Sequence, residues 1–489
     1  MWSAAFLAIS IFCSKTRAFS PLHFSSKRIS SAFGQPQLDA STVSTFDDDE
    51  ASKIQPQVVD GSLLSLTLEE LSEVLGGKGR AQACWDCFRH GVDPLWFYSK
   101  TDDTDDNFQT EPLGFPLLEL LATYSEQEKF SAGWTRSQLQ SVMTPRRQNQ
   151  GLGKSSLKKL QRVLSIGDDT DIISSEWKGT DSMDSIAKVV QVHTSRDGTT
   201  KLLLQLAKDA LQVEAVVIPW SERKSSTLCV SNQVGCKQGC TFCSTGRMGE
   251  IRSLTADEIL VQIYWASKIC RLLPDKYPLE AIVFMGMGEA ARNVDNVVKS
   301  AKNLVDPQLF QLAPRRVTIS TVGPSPESFE QLGQAPVVLA WSVHASQDAV
   351  RKQLVPTTKY SMEDLRTALI QTLLRRKKKL RQIMLELALI DNINDRPEDA
   401  EHLVQFCQPI FEEVPGIKVI VNLIPWNDIQ ASSGPAAHYR KSSEGSILAF
   451  QKTLVDNGIL CYIRTTRGDD ESAACGQLAT KSSRVGISR

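Results

Sequence analysis

Between residues 228 and 464 short apolar runs alternate with segments of helical spacing, and this alternation limits the available folds more than any other feature. Residues 228–231, 281–284, 317–320, 337–342, 383–390, 419–424 and 460–464 read as strands. Between the first two a helix opens at Thr255, with Glu258 three residues on in capping-box position. Ile259, Ile263, Ala266, Ile269 and Cys270 supply its buried face. Such alternation predicts a parallel sheet with right-handed crossovers, open or closed into a barrel. In either form chemistry gathers at the C-terminal ends of the strands.

Upstream the pattern differs. At 489 residues the chain exceeds one ordinary core. Residues 66–75, 78–92, 117–124, 136–143 and 155–164 have helical spacing, so 61–165 is expected to be a small helical domain with a polar loop inserted at 101–107. Residues 187–192 and 202–206 flank Asp197-Gly198, a hairpin signal within a connector at 166–213. A further strand, 214–218, opens the core at 214–435, and 436–489 forms a C-terminal segment.

Residues 1–60 look like a leader and linker. A short apolar stretch at 2–12 is followed by Lys15, Arg17 and Ala18-Phe19, then by a Ser-rich, basic, acid-free segment through Ser31. The two parts resemble the bipartite leaders of proteins imported into secondary plastids of algae. A plastid is therefore the expected destination, with mitochondrion or cytoplasm as alternatives. Residues 46–57 read as linker.

A formal net charge of -1 argues against coating nucleic acid non-specifically, yet two basic patches stand out. One runs Arg375, Arg376, Lys377, Lys378, Lys379, Arg381; the other holds Arg146, Arg147, Lys154, Lys158, Lys159 and Arg162. No apolar run is long enough to cross a bilayer as a mature helix, so no membrane partner is expected, and a monomer is. Eleven cysteines, an odd number unevenly spaced, favour thiols used for metal or catalysis over a disulfide framework. Cys84 and Cys87 form a CxxC with no second pair and read as packing residues.

The most informative cysteines are Cys236, Cys240 and Cys243, a CxxxCxxC on one loop after a strand. Three thiolates so placed can ligate three irons of a cubane and leave the fourth iron open, whereas structural clusters and structural zinc usually take four ligands. With Phe242 inside the loop, the motif resembles the radical S-adenosylmethionine (SAM) superfamily, in which SAM chelates the open iron of a [4Fe-4S] cluster. At the next strand end Gly286-Met287-Gly288-Glu289 forms a glycine turn and a carboxylate suited to the SAM ammonium. Ser320, Ser342, Val343, His344 and Asn427 lie at or just beyond other strand ends, as further SAM contacts.

Several longer stretches narrow the resemblance. Residues 228–236, 286–289, 423–427, 467–470 and 473–478 are similar, in order, to the RlmN/Cfr family of radical SAM RNA methyltransferases acting on adenine. The resemblance implies an α/β fold, a partial (β/α) barrel with a small N-terminal helical domain. It implies methylation of adenine C2 in large-subunit rRNA, and of tRNA beside the anticodon. It also implies an electron donor such as ferredoxin or flavodoxin. Cys475 would carry the methyl group, Cys229 would resolve a covalent protein–RNA adduct through a transient disulfide, and Glu214 would take the ring proton. Gly468-Asp469-Asp470 and Gly476 suggest that Cys475 rides on a mobile loop. Two departures stand out: Ala290 replaces the family's usual proline, implying a less rigid turn, and Ser253 replaces its asparagine. The alternatives are C8 methylation and a non-methylating Fe–S protein that binds RNA.

Overall fold

The structure, a computed structural model, describes residues 63–99, 134–142, 152–164 and 181–480 except 274, with short pieces at 110–111, 113 and 117–119. The leader, the linker, the 101–107 insertion and Arg146 and Arg147 lie outside the described residues.

Twelve strands are seen among the described residues: β1 Ala187–Thr194, β2 Thr200–Leu206, β3 Gln212–Trp220, β4 Ser225–Cys229, β5 Gln233–Cys236, β6 Gly249–Ser253, β7 Leu279–Phe284, β8 Val317–Thr321, β9 Val338–Ser342, β10 Gln382–Leu389, β11 Lys418–Pro425 and β12 Leu460–Ile463. Ten form one sheet in the order β1-β2-β3-β4-β7-β8-β9-β10-β11-β12. The first four pair antiparallel, and from β4 to β12 every pairing is parallel. No pairing joins β1 to β12 among the described residues, so the sheet is a mixed α/β one that does not close by strand pairing.

Local chemistry accounts for the elements. Helix Ala256–Leu272 starts at Thr255, whose side chain accepts from Glu258 N while Glu258 reaches back to the cap, the reciprocal arrangement expected. Strands β8 to β11 are buried nearly throughout, as in a parallel sheet covered by helices. One pair was not anticipated from sequence: β5 and β6 make a separate two-stranded ribbon, too short and too polar to show alternation. Strand β3 also runs through Pro219 to Trp220. Proline costs only a donor, and Pro219 lies near the strand's end.

The N-terminal helices Leu68–Leu75 and Lys78–Arg89 lie where expected, and a short helix Pro94–Tyr98 that was not expected follows them, all within a compact unit spanning Val58–Arg489. Cys84 and Cys87 are buried there among Trp85, Phe88 and Val92. A buried ionic network ties this helical part to helix Ala256–Leu272. Lys268, fully buried, pairs with Asp181 at 2.5 Å and with Glu111 at 3.7 Å, and Arg271 pairs with Glu111. Burial alone would lower the Lys268 ammonium, but the two carboxylates outweigh it and hold it above its ordinary value. Removing the Lys268 cation leaves Asp181 without its counter-charge in a dry interior and Glu111 with Arg271 alone. Lys268→Met is expected to destabilise the protein by about 3–5 kcal/mol, seen as a lower urea midpoint; an unchanged midpoint would show the network to be energetically idle.

Candidate active site

Because β4 and β7–β12 run parallel, their C-terminal ends open on one side of the sheet, and a single cavity lies there. Five cysteines line it: Cys229 at the end of β4, Cys236 at the end of β5, Cys240 and Cys243 on the loop between β5 and β6, and Cys475. Gly286, Gly288, Glu289, Ser320, Ser342, His344 and Asn427 share its wall. Val343 does not: its side chain is fully buried, and its carbonyl accepts from Arg351 Nη1. Glu214 is likewise absent from the wall.

The cysteine loop is shaped from below. Gly286 and Gly288, after β7, pack on residues 230–233. A Cβ on Gly286 would sit 2.7 Å from the Val230 carbonyl oxygen, and one on Gly288 2.8 Å from Asn232 Oδ1. The glycines therefore dock the approach to the loop. From the far side the Trp426 indole donates to the Phe242 carbonyl at 3.2 Å, and the Phe242 ring meets the His344 ring at 4.3 Å.

A single metal ion requires three ligands to converge, and among the described residues no group of His, Cys, Asp or Glu is so arranged. A cubane instead lets each thiolate take a different iron, which a three-cysteine loop provides. The donor set therefore fits a [4Fe-4S] cluster better than mononuclear zinc. Burial raises all three thiols, Cys236 to about 12, so binding a cluster would release their protons.

Glu289 is buried and already engaged. Its Oε1 accepts from Thr321 Oγ1 and from Ala291 N, and its Oε2 from Val322 N. Accepting from Ala291 N makes Glu289 the cap of the turn Ala290–Arg292, which supplies order where proline is missing. Burial pushes its carboxyl up, against these three donors. Ser253 Oγ accepts from Gln233 Nε2 at 3.2 Å, so the serine at that position keeps a link between β5 and β6. His344 takes a positive φ of 55° and accepts from Ala388 N at Nδ1, which leaves the proton on Nε2. Burial holds the ring neutral, well below its ordinary value.

The segment carrying Cys475 is tied on two sides. Toward the cysteine loop, Ser244 N donates to the Gly476 carbonyl at 2.7 Å and Thr245 Oγ1 to the Leu478 carbonyl at 2.6 Å. Asn427 Nδ2 donates to the Cys475 carbonyl, and Thr466 holds Asn427 through Oδ1. Toward the antiparallel strands, Arg467 pairs with Asp197 at 3.1 Å and donates to the Pro219 carbonyl, while Gly468 N donates to Asp197 Oδ2. Glu214 Oε2 accepts from Ala479 N at 2.8 Å and Oε1 pairs with Lys201 at 3.3 Å. Gly468 adopts φ 74°, with no room for a Cβ beside Ala473 and Thr199. Its glycine is thus required by the turn itself, whatever motion the segment undergoes.

Two other lining residues, Glu386 and Arg464, were not anticipated as site residues. The signal for Glu386 was present: it is a lone charge in the apolar run 383–390. The basic run at 375–381 lies before β10, at the end of the strand remote from the cavity, and Arg376 and Arg381 donate to carbonyls of Ala335, Val337, Leu374 and Arg376.

Cys229 and Cys475 are both free thiols, as is every described cysteine. Cys475 is exposed to the cavity but surrounded by protein. Desolvation pushes Cys229 up to about 12 and Cys475 to about 11; each thiol also senses the Arg464 cation, which opposes the shift. At pH 8 their alkylation in cluster-free protein is expected to be on the order of 100-fold slower than that of a free cysteine. The rate should climb about tenfold per pH unit up to those values. Mass spectrometry of the modified peptides reads this, and a flat pH profile would contradict it.

No protein-family model matches the chain. Among curated proteins it is 41% identical over 288 residues to the dual-specificity RNA methyltransferase RlmN of Syntrophotalea carbinolica, covering 59% of this chain and 71% of that one. It is 39% identical over 294 residues to the protein of that name from Alcanivorax borkumensis, covering 60% and 73%. Among solved structures, a radical SAM methyltransferase from Sphaerobacter thermophilus superposes with a TM-score of 0.58 at 28% identity, covering 86% of this chain and 99% of that chain. No helix among the described residues is long and apolar enough to cross a membrane.

Proposed function

On the premise that the chain belongs to the RlmN family of dual-specificity RNA methyltransferases, we infer that it methylates C2 of adenine in large-subunit rRNA, with tRNA as a second substrate, by radical SAM chemistry. The observation that supports this most is the gathering of five cysteines, three for a cluster and two for methyl transfer, around one cavity. Cys236, Cys240 and Cys243 hold the [4Fe-4S] cluster, and Gly288, Glu289, Ser320, Ser342, His344 and Asn427 surround SAM. When bound, cluster and SAM supply one-electron cleavage of the sulfonium and a transferable methyl group. An external donor such as ferredoxin or flavodoxin provides the electron.

The chain's own residues handle the carbon. Cys475 takes the methyl group on sulfur and presents it to the base while Asn427 holds its carbonyl. Joining that carbon to adenine would take one hydrogen atom from the methyl group, removed by the radical that bound SAM supplies, and one electron from the ring adduct, returned to the cluster. Cys229 then attacks the Cys475 sulfur. An S–S bond forms and the C–S bond breaks; the carbon keeps the electron pair and takes a proton. The disulfide is transient and is returned to two thiols by an external dithiol. Glu214 accepts the ring proton. It lies off the cavity wall, bound to Ala479 N and Lys201, so it reaches the base only once the Cys475 segment has shifted; burial, which raises its carboxyl, favours taking up that proton. The leader at 1–60 directs the protein to a plastid.

Cys229→Ala, produced in a host competent in iron–sulfur assembly, is expected to purify with RNA covalently attached to Cys475. RNA-free protein with an intact cluster would sink the adduct mechanism. Mass spectrometry of adenosine from modified rRNA should show the methyl on C2; methyl on C8 would assign the alternative activity. A fluorescent fusion of residues 1–60 should accumulate in plastids, and a cytosolic signal would refute that destination.

A further inference from the structure

Strand β10 carries one acidic side chain among apolar neighbours, and it faces the cavity. Ile383, Leu385, Leu387 and Leu389 belong to the apolar core, which turns the alternate position, Glu386, to the other face. Glu386 is 2% exposed and pairs in register with Ser342 on β9 and Asn422 on β11. Asn422 Nδ2 donates to Oε1 at 2.7 Å, while Oε2 has no hydrogen-bond partner. Burial raises the Glu386 carboxyl while Asn422 and Arg464 oppose that shift, and Oε2, on the cavity wall without a protein donor, offers an acceptor position to a group that enters the cavity.

Arg464, just past the end of β12, lines the same cavity, and its charge is felt by Glu386, Cys229 and Cys475. The cavity thus brings together an acceptor, a cation and the Cys475 sulfur, to which the proposed function gives the methyl group. Along its pairing edge adenine carries C2, then the acceptor N1, then the N6 amino donor. Guanine presents a carbonyl in place of that amino group and N–H in place of that acceptor, and a carboxylate beside a guanidinium opposes both.

We propose that Glu386 is the acceptor for the exocyclic amino group of the adenine to be methylated, with Arg464 donating to ring N1 and Cys475 facing C2. The proposal rests on the methyltransferase reading above. It makes Glu386 a specificity-determining residue, and it gives Arg464 a second effect: a hydrogen bond to N1 draws electron density from the neighbouring C2. The adenosine of SAM also carries an amino group, so the test must separate the two sources.

The background is full-length, cluster-loaded protein with Cys229→Ala, and the probes are rRNA fragments with adenosine or purine riboside, which lacks the amino group, at the target position. With Glu386 intact, adduct on purine riboside is expected to be about tenfold lower or more than on adenosine. Glu386→Leu should lower adduct on adenosine to the purine riboside level and abolish the discrimination, and Glu386→Gln, which keeps an acceptor, should restore part of it. Equilibrium dialysis with labelled SAM should give the same affinity for all three proteins within about twofold, which also reports an intact site. Equal capture of both probes with Glu386 intact would overturn the proposal without any substitution at that position. So would discrimination that survives Glu386→Leu, or a loss of SAM affinity parallel to the loss of adduct, which would give the acceptor to the cofactor. Absence of adduct from Cys229→Ala itself would refute the adduct mechanism and, with it, this assignment.

Discussion

Everything in the site depends on the parallel hydrogen-bond ladder from β4 to β12. Parallel strands all end on one side, so a loop that follows one strand becomes a spatial neighbour of loops far away in sequence. Cys229 ends β4, Glu289 follows β7, Ser320 is the last residue but one of β8, Ser342 ends β9, and Asn427 follows β11. Their meeting needs no further device beyond the ladder.

The antiparallel strands β1–β3 solve a different problem. A partial barrel leaves an open side, and the segment bearing Cys475 has no strand of its own to fix it. Asp197 in the β1–β2 turn, Lys201 on β2 and Glu214 on β3 together bind residues 467–479. Side-chain hydrogen bonds and an ion pair therefore span the gap between the sheet edge and the Cys475 segment. Such bonds break more readily than a strand pairing, which suits the moving role proposed for that segment.

Desolvation governs the chemistry of the cavity. It raises the five thiols and Glu289 and keeps His344 neutral. Partners oppose this shift at the carboxyls: Thr321 and backbone N–H groups at Glu289, and Arg464 and Asn422 at Glu386. A low dielectric strengthens each of these pairings and makes the unpaired Oε2 of Glu386 conspicuous.

Period and motif were enough to read most elements from the sequence. The strands of the core differ from expectation by few residues, and the Thr255 cap was legible because a capping box is local chemistry. The cysteine triplet was legible for the same reason, since its spacing lies within eight residues. What the sequence alone determined was therefore local: element type, the ligand loop and the family-like stretches. Tertiary structure decided what depends on distant segments meeting. It placed β5 and β6 as a ribbon under the cysteine loop and turned Val343 away from the cavity. It bound Glu214 to the Cys475 segment and left one oxygen of Glu386 without a donor. No spacing rule reaches those outcomes, because each is set by residues tens to hundreds of positions apart that only the folded sheet brings together.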